Sequence, residues 1–184
     1  WALTAQGARF AEGISVEKDL EKALSLWNFA AEKGYSKAQC ALGIAYEKGI
    51  GVSRDIEKAV NFYKLAAKND DLIAMQWLAD MYKQGEGVKQ DAEEAIYWYK
   101  KILKSNNVLS QEIIDECKFA VAYSYLNGVG SPEDFTKSLE IYKDLAERNN
   151  ISALQFLGSV YFDSGYGDYG IKEDKVKALK YFII

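Results

Sequence analysis

Histidine is missing from all 184 residues. That one absence removes Ser-His-Asp and Cys-His nucleophilic centres, imidazole metal ligands and histidine acid-base catalysis together. Cysteine is scarce: Cys40 and Cys117 are the only two, too far apart in sequence for a disulfide framework, and read as small, partly buried thiols. No apolar run approaches the ~20 residues that would span a bilayer, so no membrane insertion is expected. A basic block is lacking too. Net charge is −4 with both signs interspersed, which leaves no electrostatic footprint for nucleic acid or an anionic membrane. The chain opens on Trp1 without a methionine and stops inside a helical pattern at Ile184, as a processed protein or a piece of a longer one would.

What is present is repetition. Hydrophobic residues make up 49% of the chain, enough for a continuous core. The stretch from Ala38 to Asp71 sets the pattern. Ala38, Leu42, Ala45 and Tyr46 fall on one face of a helix, Ala59, Tyr63, Ala66 and Ala67 on one face of a second, and Gly49-Ile50-Gly51-Val52 breaks between them. Such a unit is too small to bury both apolar faces unless neighbours stack on it.

The copies can be aligned residue by residue. A small residue recurs as Gly7, Gly43, Ala79, Ala122 and Gly158, at spacings of 36, 36, 43 and 36. Three residues later stands Phe10, Tyr46, Tyr82, Tyr125 or Tyr161. A second series runs Ala23, Ala59, Ala95, Ser138 and Ala178, with Asp19, Asp55, Asp91, Asp134 and Asp174 four residues before each. Those aspartates sit where the second helices begin and are expected to cap them, at about 1 kcal/mol each. Four residues after the small position of the second helix comes Trp27, Tyr63, Tyr99, Tyr142 or Phe182. A ring beside a small side chain lets two helices approach closely while the ring fills the neighbouring gap.

The strings LGIAYEKGIGVSRDIEKAVNFYKLAAK and LADMYKQGEGVKQDAEEAIYWYKKILK resemble SEL-one-like repeats, relatives of the tetratricopeptide repeats, through the leucine-glycine pair, the tyrosine three residues on, GxGV, Asp and Lys-Ala in register. The resemblance spans nearly the whole chain. It implies an all-α, right-handed α-solenoid of about five stacked helix-turn-helix repeats, with the first helices lining a concave surface. The array is expected to occupy residues 1–184, as repeats 1–35, 36–71, 72–107, 111–150 and 151–184 with an insertion near 104–116. Members of that family mostly act as adaptors for protein complexes, in bacteria and in eukaryotic secretory quality control. Some carry a cysteine pair within each repeat. None is present here, which favours a reducing compartment, although a removed signal peptide is compatible with the sequence.

Departures from the repeat are informative. Repeat one has Gly13 but no GxGV string, and repeats three and four place Ile102 and Leu145 where repeats one and two have Ala30 and Ala66. Larger side chains there require the packing to open or shift. The spacing of 43 marks seven extra residues, placed in Lys104 to Cys117, where Ser110 followed by Gln111-Glu112 reads as a cap and an early start to a lengthened helix. Repeat five has four extra residues in its turn, within SGYGDYGIK.

Four short motifs were weighed against this scaffold. Gly165 to Gly170 matches GxGxxG but lies between two helices, not after a strand, so no cofactor is expected there. Asp163, Asp168 and Asp174 surround the same loop without EF-hand spacing and read as a solvated acidic turn, with no metal expected. Ser15-Val16-Glu17-Lys18 matches SxxK without its SDN and KTG companions, which makes chance the preferred account. Asn150-Ile151-Ser152 is a glycosylation sequon whose relevance depends on secretion. No catalytic residue is assigned and the chain is read as not an enzyme.

Binding is the remaining class. Tetratricopeptide geometry implies concave-face positions at Cys40, Ile44, Glu47 and Lys48, at Gln76, Asp80, Lys83 and Gln84, at Phe119, Tyr123, Leu126 and Asn127, and at Gln155, Ser159, Phe162 and Asp163. Of these, Gln76, Asp80, Lys83, Phe119, Tyr123, Leu126, Asn127, Gln155, Ser159 and Phe162 are the candidate protein-binding residues. Phe119, Tyr123, Leu126 and Phe162 would make an aromatic anchor patch, unless the lengthened helix covers it. The expected function is a scaffold binding a peptide or protein domain in this groove. The alternative is a structural or regulatory segment of a larger protein, because solenoid ends need polar caps and this chain ends in Tyr181-Phe182-Ile183-Ile184.

Overall fold

The computed structural model describes residues 2–105, 109–163, 167, 169 and 171–182. Among them the chain forms ten α-helices and no strand: α1 (Ala2–Glu12), α2 (Leu20–Glu32), α3 (Ser36–Lys48), α4 (Ile56–Lys68), α5 (Leu72–Gln84), α6 (Ala92–Leu103), α7 (Gln111–Asn127), α8 (Phe135–Ala146), α9 (Ile151–Phe162) and α10 (Lys175–Phe182). Contacts divide the chain into two compact units, residues 1–98 and 99–184, the division falling within α6.

The five aspartates do what their position demands. Asp19, Asp55, Asp91, Asp134 and Asp174 each accept from the amide three residues on, that of Lys22, Lys58, Glu94, Lys137 or Lys177, at 2.9–3.1 Å. Each Asp amide in turn donates to the carbonyl of the repeat's aromatic, Phe10, Tyr46, Tyr82, Tyr125 or Tyr161, at 2.8–2.9 Å. The ring is then roofed by a lysine: Lys22 over Phe10, Lys58 over Tyr46, Lys137 over Tyr125 and Lys177 over Tyr161, with the ammonium 3.9–5.5 Å from the centroid. Such contacts contribute about 0.5–1 kcal/mol at exposed sites. One clasp of cap, backbone bond and cation therefore closes the helix pair. Repeat three has Glu94 where the lysine would stand, and Lys64 of α4 covers Tyr82 instead, at 5.4 Å.

Unit 1 is packed tightly enough that glycine is required. A Cβ on Gly43 would lie 2.6 Å from Tyr63 Cε1, and one on Gly7 2.5 Å from Trp27 Nε1. Around these pairs Ala23, Trp27, Leu42 and Ala45 form a core cluster, with Phe10, Leu24, Ile50, Val52 and Phe62 against it. Burial of a side chain such as Leu42 stabilises by about 1.5–3 kcal/mol. The turn after α3 uses left-handed backbone at Gly49 and Gly51, both with φ of 70°. Repeat one keeps the same turn with Ser15 in the second position, at φ 59°. The SxxK serine is thus a turn residue in a glycine conformation.

Unit 2 carries the departures. Its core joins Ala122, Tyr142, Leu145, Ala153, Leu154, Leu157 and Val160, and Leu145 is fully enclosed although alanine occupies its place in repeats one and two. Ser138, standing where the other repeats have alanine, donates its hydroxyl to the Ala122 carbonyl at 2.9 Å. Helix α7 is lengthened to 17 residues and starts at Ser110, whose Oγ accepts from the Ile113 amide at 3.4 Å. Of the expected insertion, Asn106, Asn107 and Val108 lie outside the described residues. Ion pairs tie α7 to α8 and to the residues just after it: Lys118 to Asp144 at 2.6 Å and Asp115 to Arg148 at 3.4 Å, with Arg148 also on Asp144.

Candidate functional site

The candidate residues lie on the first helices of repeats three to five: α5 in unit 1, α7 and α9 in unit 2. The structure sorts them by depth. Gln76 and Asp80 are half-buried on α5 and Lys83 is exposed; on α9, Gln155 and Ser159 are exposed, Ser159 bonding back to the Phe156 carbonyl at 2.7 Å. On α7, Asn127 is exposed and donates to the Tyr123 carbonyl at 2.9 Å.

The four residues expected as an aromatic patch are divided. Phe119 and Leu126 turn inward and pack against the unit 2 core, Phe119 edge-on to Tyr142 with centroids 5.6 Å apart. Tyr123 and Phe162 remain 52% and 56% exposed, the Phe162 ring lying 5.9 Å from Lys175 Nζ. Each of these two first helices thus carries one open ring together with exposed polar side chains, Asn127 on α7 and Gln155 and Ser159 on α9. Tyr142 of α8 is buried, and burial followed by the nearby Tyr123 pushes its phenol up to about 12.

A parallel site in unit 1 uses the same positions with different chemistry. Tyr63, the counterpart of Tyr142, is fully buried and donates its hydroxyl to Glu47 Oε2 at 2.5 Å. Burial, then the Glu47 hydrogen bond, raises that phenol far above its ordinary value. Trp77 stacks on Tyr63 with centroids 6.5 Å apart, as Phe156 leans on Tyr142 at 4.2 Å. Neither Trp77 nor the Glu47–Tyr63 bond was expected from the sequence; the signal was there, since Trp77 and Phe156 occupy one register position. Cys40 lies buried, as its reading as a small, partly buried thiol expects, and not open on the concave face where its register placed it. Burial, aided by Asp71, pushes its thiol up to about 12, so it stays protonated at neutral pH.

The remaining motifs resolve into local structure. Asn150 caps α9, accepting from the Ala153 amide at 3.0 Å, so the sequon oxygen serves the helix. Of GxGxxG, Gly165, Tyr166, Asp168 and Gly170 lie outside the described residues, while Tyr169 stacks on Phe135 at 4.1 Å and donates to Glu133 at 3.0 Å. The strand such a fingerprint must follow does not occur among the described residues. Among those residues no group of three or more His, Cys, Asp or Glu is placed to hold a metal, and no helix is long and apolar enough to cross a membrane.

A helix pair repeated five times, closed by one clasp, defines an all-helical repeat protein. The Sel1 repeat family model matches residues 7–35, 36–71, 72–107, 115–150 and 151–184, and the chain belongs to the Sel1 repeat family. Among solved structures it is similar to c5321, a protective antigen present in uropathogenic Escherichia coli strains that displays an SLR fold, with a TM-score of 0.79 and 27% identity over 99% of this chain and 37% of that one. It is also similar to a Sel1 repeat protein from Oxalobacter formigenes, with a TM-score of 0.78 and 28% identity over 99% of this chain and 70% of that one. The chain therefore spans well under half the length of the first. No curated protein matches it significantly. Sel1 repeat proteins are generally helical scaffolds for protein interaction.

Proposed function

We propose that this chain is a non-catalytic adaptor that holds a peptide or protein domain on its first-helix face, with the α7–α9 portion of unit 2 as the anchor. The observation that carries the reading is the exposure of Tyr123 and Phe162 on first helices that also expose Asn127, Gln155 and Ser159. Half-exposed rings in a polar surround are the residues that binding energy concentrates on. Gln76, Asp80 and Lys83 stand at the matching positions of α5 in unit 1 as polar contacts of their own, while Phe119 and Leu126 belong to the unit 2 core.

The test follows from this division of roles. A photo-crosslinking amino acid at position 123 or 162 captures the partner, whose affinity is then measured by calorimetry against the Tyr123→Ala, Phe162→Ala double variant. A loss of at least about tenfold is expected, since truncating an anchor residue costs about 2 kcal/mol or more. Unchanged affinity, with an intact helical spectrum, would sink the anchor. Phe119 is left in place because its ring is part of the core.

A further inference from the structure

Every second helix carries a ring at one register position, and in unit 1 the polar atom of that ring is in use. Trp27 Nε1 donates to the Thr4 carbonyl at 3.2 Å, and the Tyr63 hydroxyl donates to Glu47 Oε2 at 2.5 Å. Tyr142 in unit 2 differs. Leu126 stands at the register of Glu47 and packs against the core, so the carboxylate that holds Tyr63 has no equivalent. Among the described residues nothing accepts from the Tyr142 hydroxyl. Buried donors are rarely left unpaired in native structures, because the lost hydration is not returned.

The ring of Tyr142 is fixed, yet its hydroxyl can be reached. Phe119 meets the ring edge-on at 5.6 Å and Phe156 leans on it at 4.2 Å, leaving the residue 2% exposed. Part of that small exposure belongs to the hydroxyl, which is not sealed from solvent as Thr4 Oγ1 is. The open Tyr123 is close enough to act on it electrostatically. With the phenol pushed up to about 12 by burial and then by Tyr123, the hydroxyl remains a donor at neutral pH.

Charge selects the acceptor. From Phe119 to Asn127 helix α7 has no charged residue, and α9 has none from Ile151 to Phe162. Lys118, just before that stretch of α7, is engaged by Asp144 at 2.6 Å. A carboxylate brought to Tyr142 would lose water without gaining the counter-ion that a buried charge requires. An uncharged carbonyl meets no such penalty.

We infer that the Tyr142 hydroxyl is a binding group of the α7–α9 site, donating a hydrogen bond to an uncharged amide carbonyl of a bound peptide segment whose neighbouring side chain packs on Tyr123. This rests on the adaptor reading and gives its aromatic anchor a polar contact. The bound segment does for Tyr142 what Glu47 does for Tyr63.

Two measurements test the assignment. In the free chain, Tyr63→Phe is expected to lower the urea midpoint because a hydrogen bond is lost, whereas Tyr142→Phe keeps the ring and is expected to leave the midpoint unchanged or raise it. An equal drop in both variants would show that the chain itself uses the Tyr142 hydroxyl, and overturns the inference. The second measurement is NMR of the full chain with tyrosines isotopically labelled at Cζ, titrated with N-acetylphenylalanine methylamide and, separately, with N-acetylphenylalanine carboxylate. The amide is expected to shift the Tyr142 resonance, assigned by its absence in Tyr142→Phe, and to bind that variant about fivefold more weakly, the worth of one neutral hydrogen bond. The carboxylate is expected to bind more weakly than the amide. No shift at Tyr142, tighter binding of the carboxylate, or equal amide affinity with and without the hydroxyl overturns the inference. The Tyr123→Ala, Phe162→Ala variant separates this outcome from the anchor. If it loses the amide while Tyr142→Phe does not, the anchor stands and the hydroxyl's role falls; if neither weakens binding, both fall.

Discussion

At the scale of single residues the fold is limited by clearance rather than by hydrophobicity. Gly43 illustrates this, because the ring that its missing Cβ admits is the fully buried Tyr63. Gly43→Ala gains about 1 kcal/mol of helix propensity but forces overpacking worth about 1–3 kcal/mol. The expected result is a net loss of up to about 2 kcal/mol, read as a lower urea midpoint with unchanged slope. Sequence reading foresaw the small-residue series but not which members are compulsory. Ala79 and Ala122 show that the same register admits a methyl in repeats three and four. The depth of Phe119 was illegible as well. A phenylalanine at helical spacing on a first helix reads alike whether its ring faces water or, as here, the edge of Tyr142.

At the scale of elements, the second helices are legible from their first residue. Each cap aspartate announces its helix, and all five bonds form as the spacing required. The lengthened α7 was legible from Ser110, yet its fastening was not, because Asp115, Lys118, Asp144 and Arg148 meet only once α7 lies beside α8. Burial pushes the Asp144 carboxyl up, but the Lys118 ammonium, with Arg148, more than offsets this and leaves it below the ordinary 3.8. The amides and side chains of Lys58 and Lys137 likewise lower Asp55 and Asp134. For a depressed carboxylate the stabilisation is fully present above the unfolded value and is lost as pH falls through the folded one. Urea midpoints measured from pH 5 to pH 2 are therefore expected to drop for the wild type below about 3.8. In Asp144→Asn the drop over that range is expected to be smaller and the midpoint at pH 5 lower. The effect is modest, since the Asp144 side chain is still 46% exposed and solvent screens the pair.

At the scale of the whole chain, stability in a repeat protein is a sum of local terms and neighbour contacts. Each unit has its own core, so damage should stay near its source. Leu42→Ala is expected to cost about 2–5 kcal/mol. By hydrogen-exchange mass spectrometry its effect should concentrate in α1 to α4, with protection in α8 and α9 close to wild type; uniform loss throughout would show a single cooperative block. The number of repeats and their all-helical character were legible because periodicity is written in the chain. The exposure of the Tyr123 ring was not, because it depends on what packs against its helix, which no single stretch of sequence records.

The clasp that closes each helix pair has one more consequence. In repeat five the amide of Asp174 still meets the carbonyl of Tyr161 at 2.8 Å, although the connecting segment is four residues longer than in its siblings. Length between the two anchoring points is therefore decoupled from their pairing. The hairpin tips of this protein are sites where new sequence can be accepted while the frame stays in step, so a change of specificity can arise there by insertion without any redesign of the core.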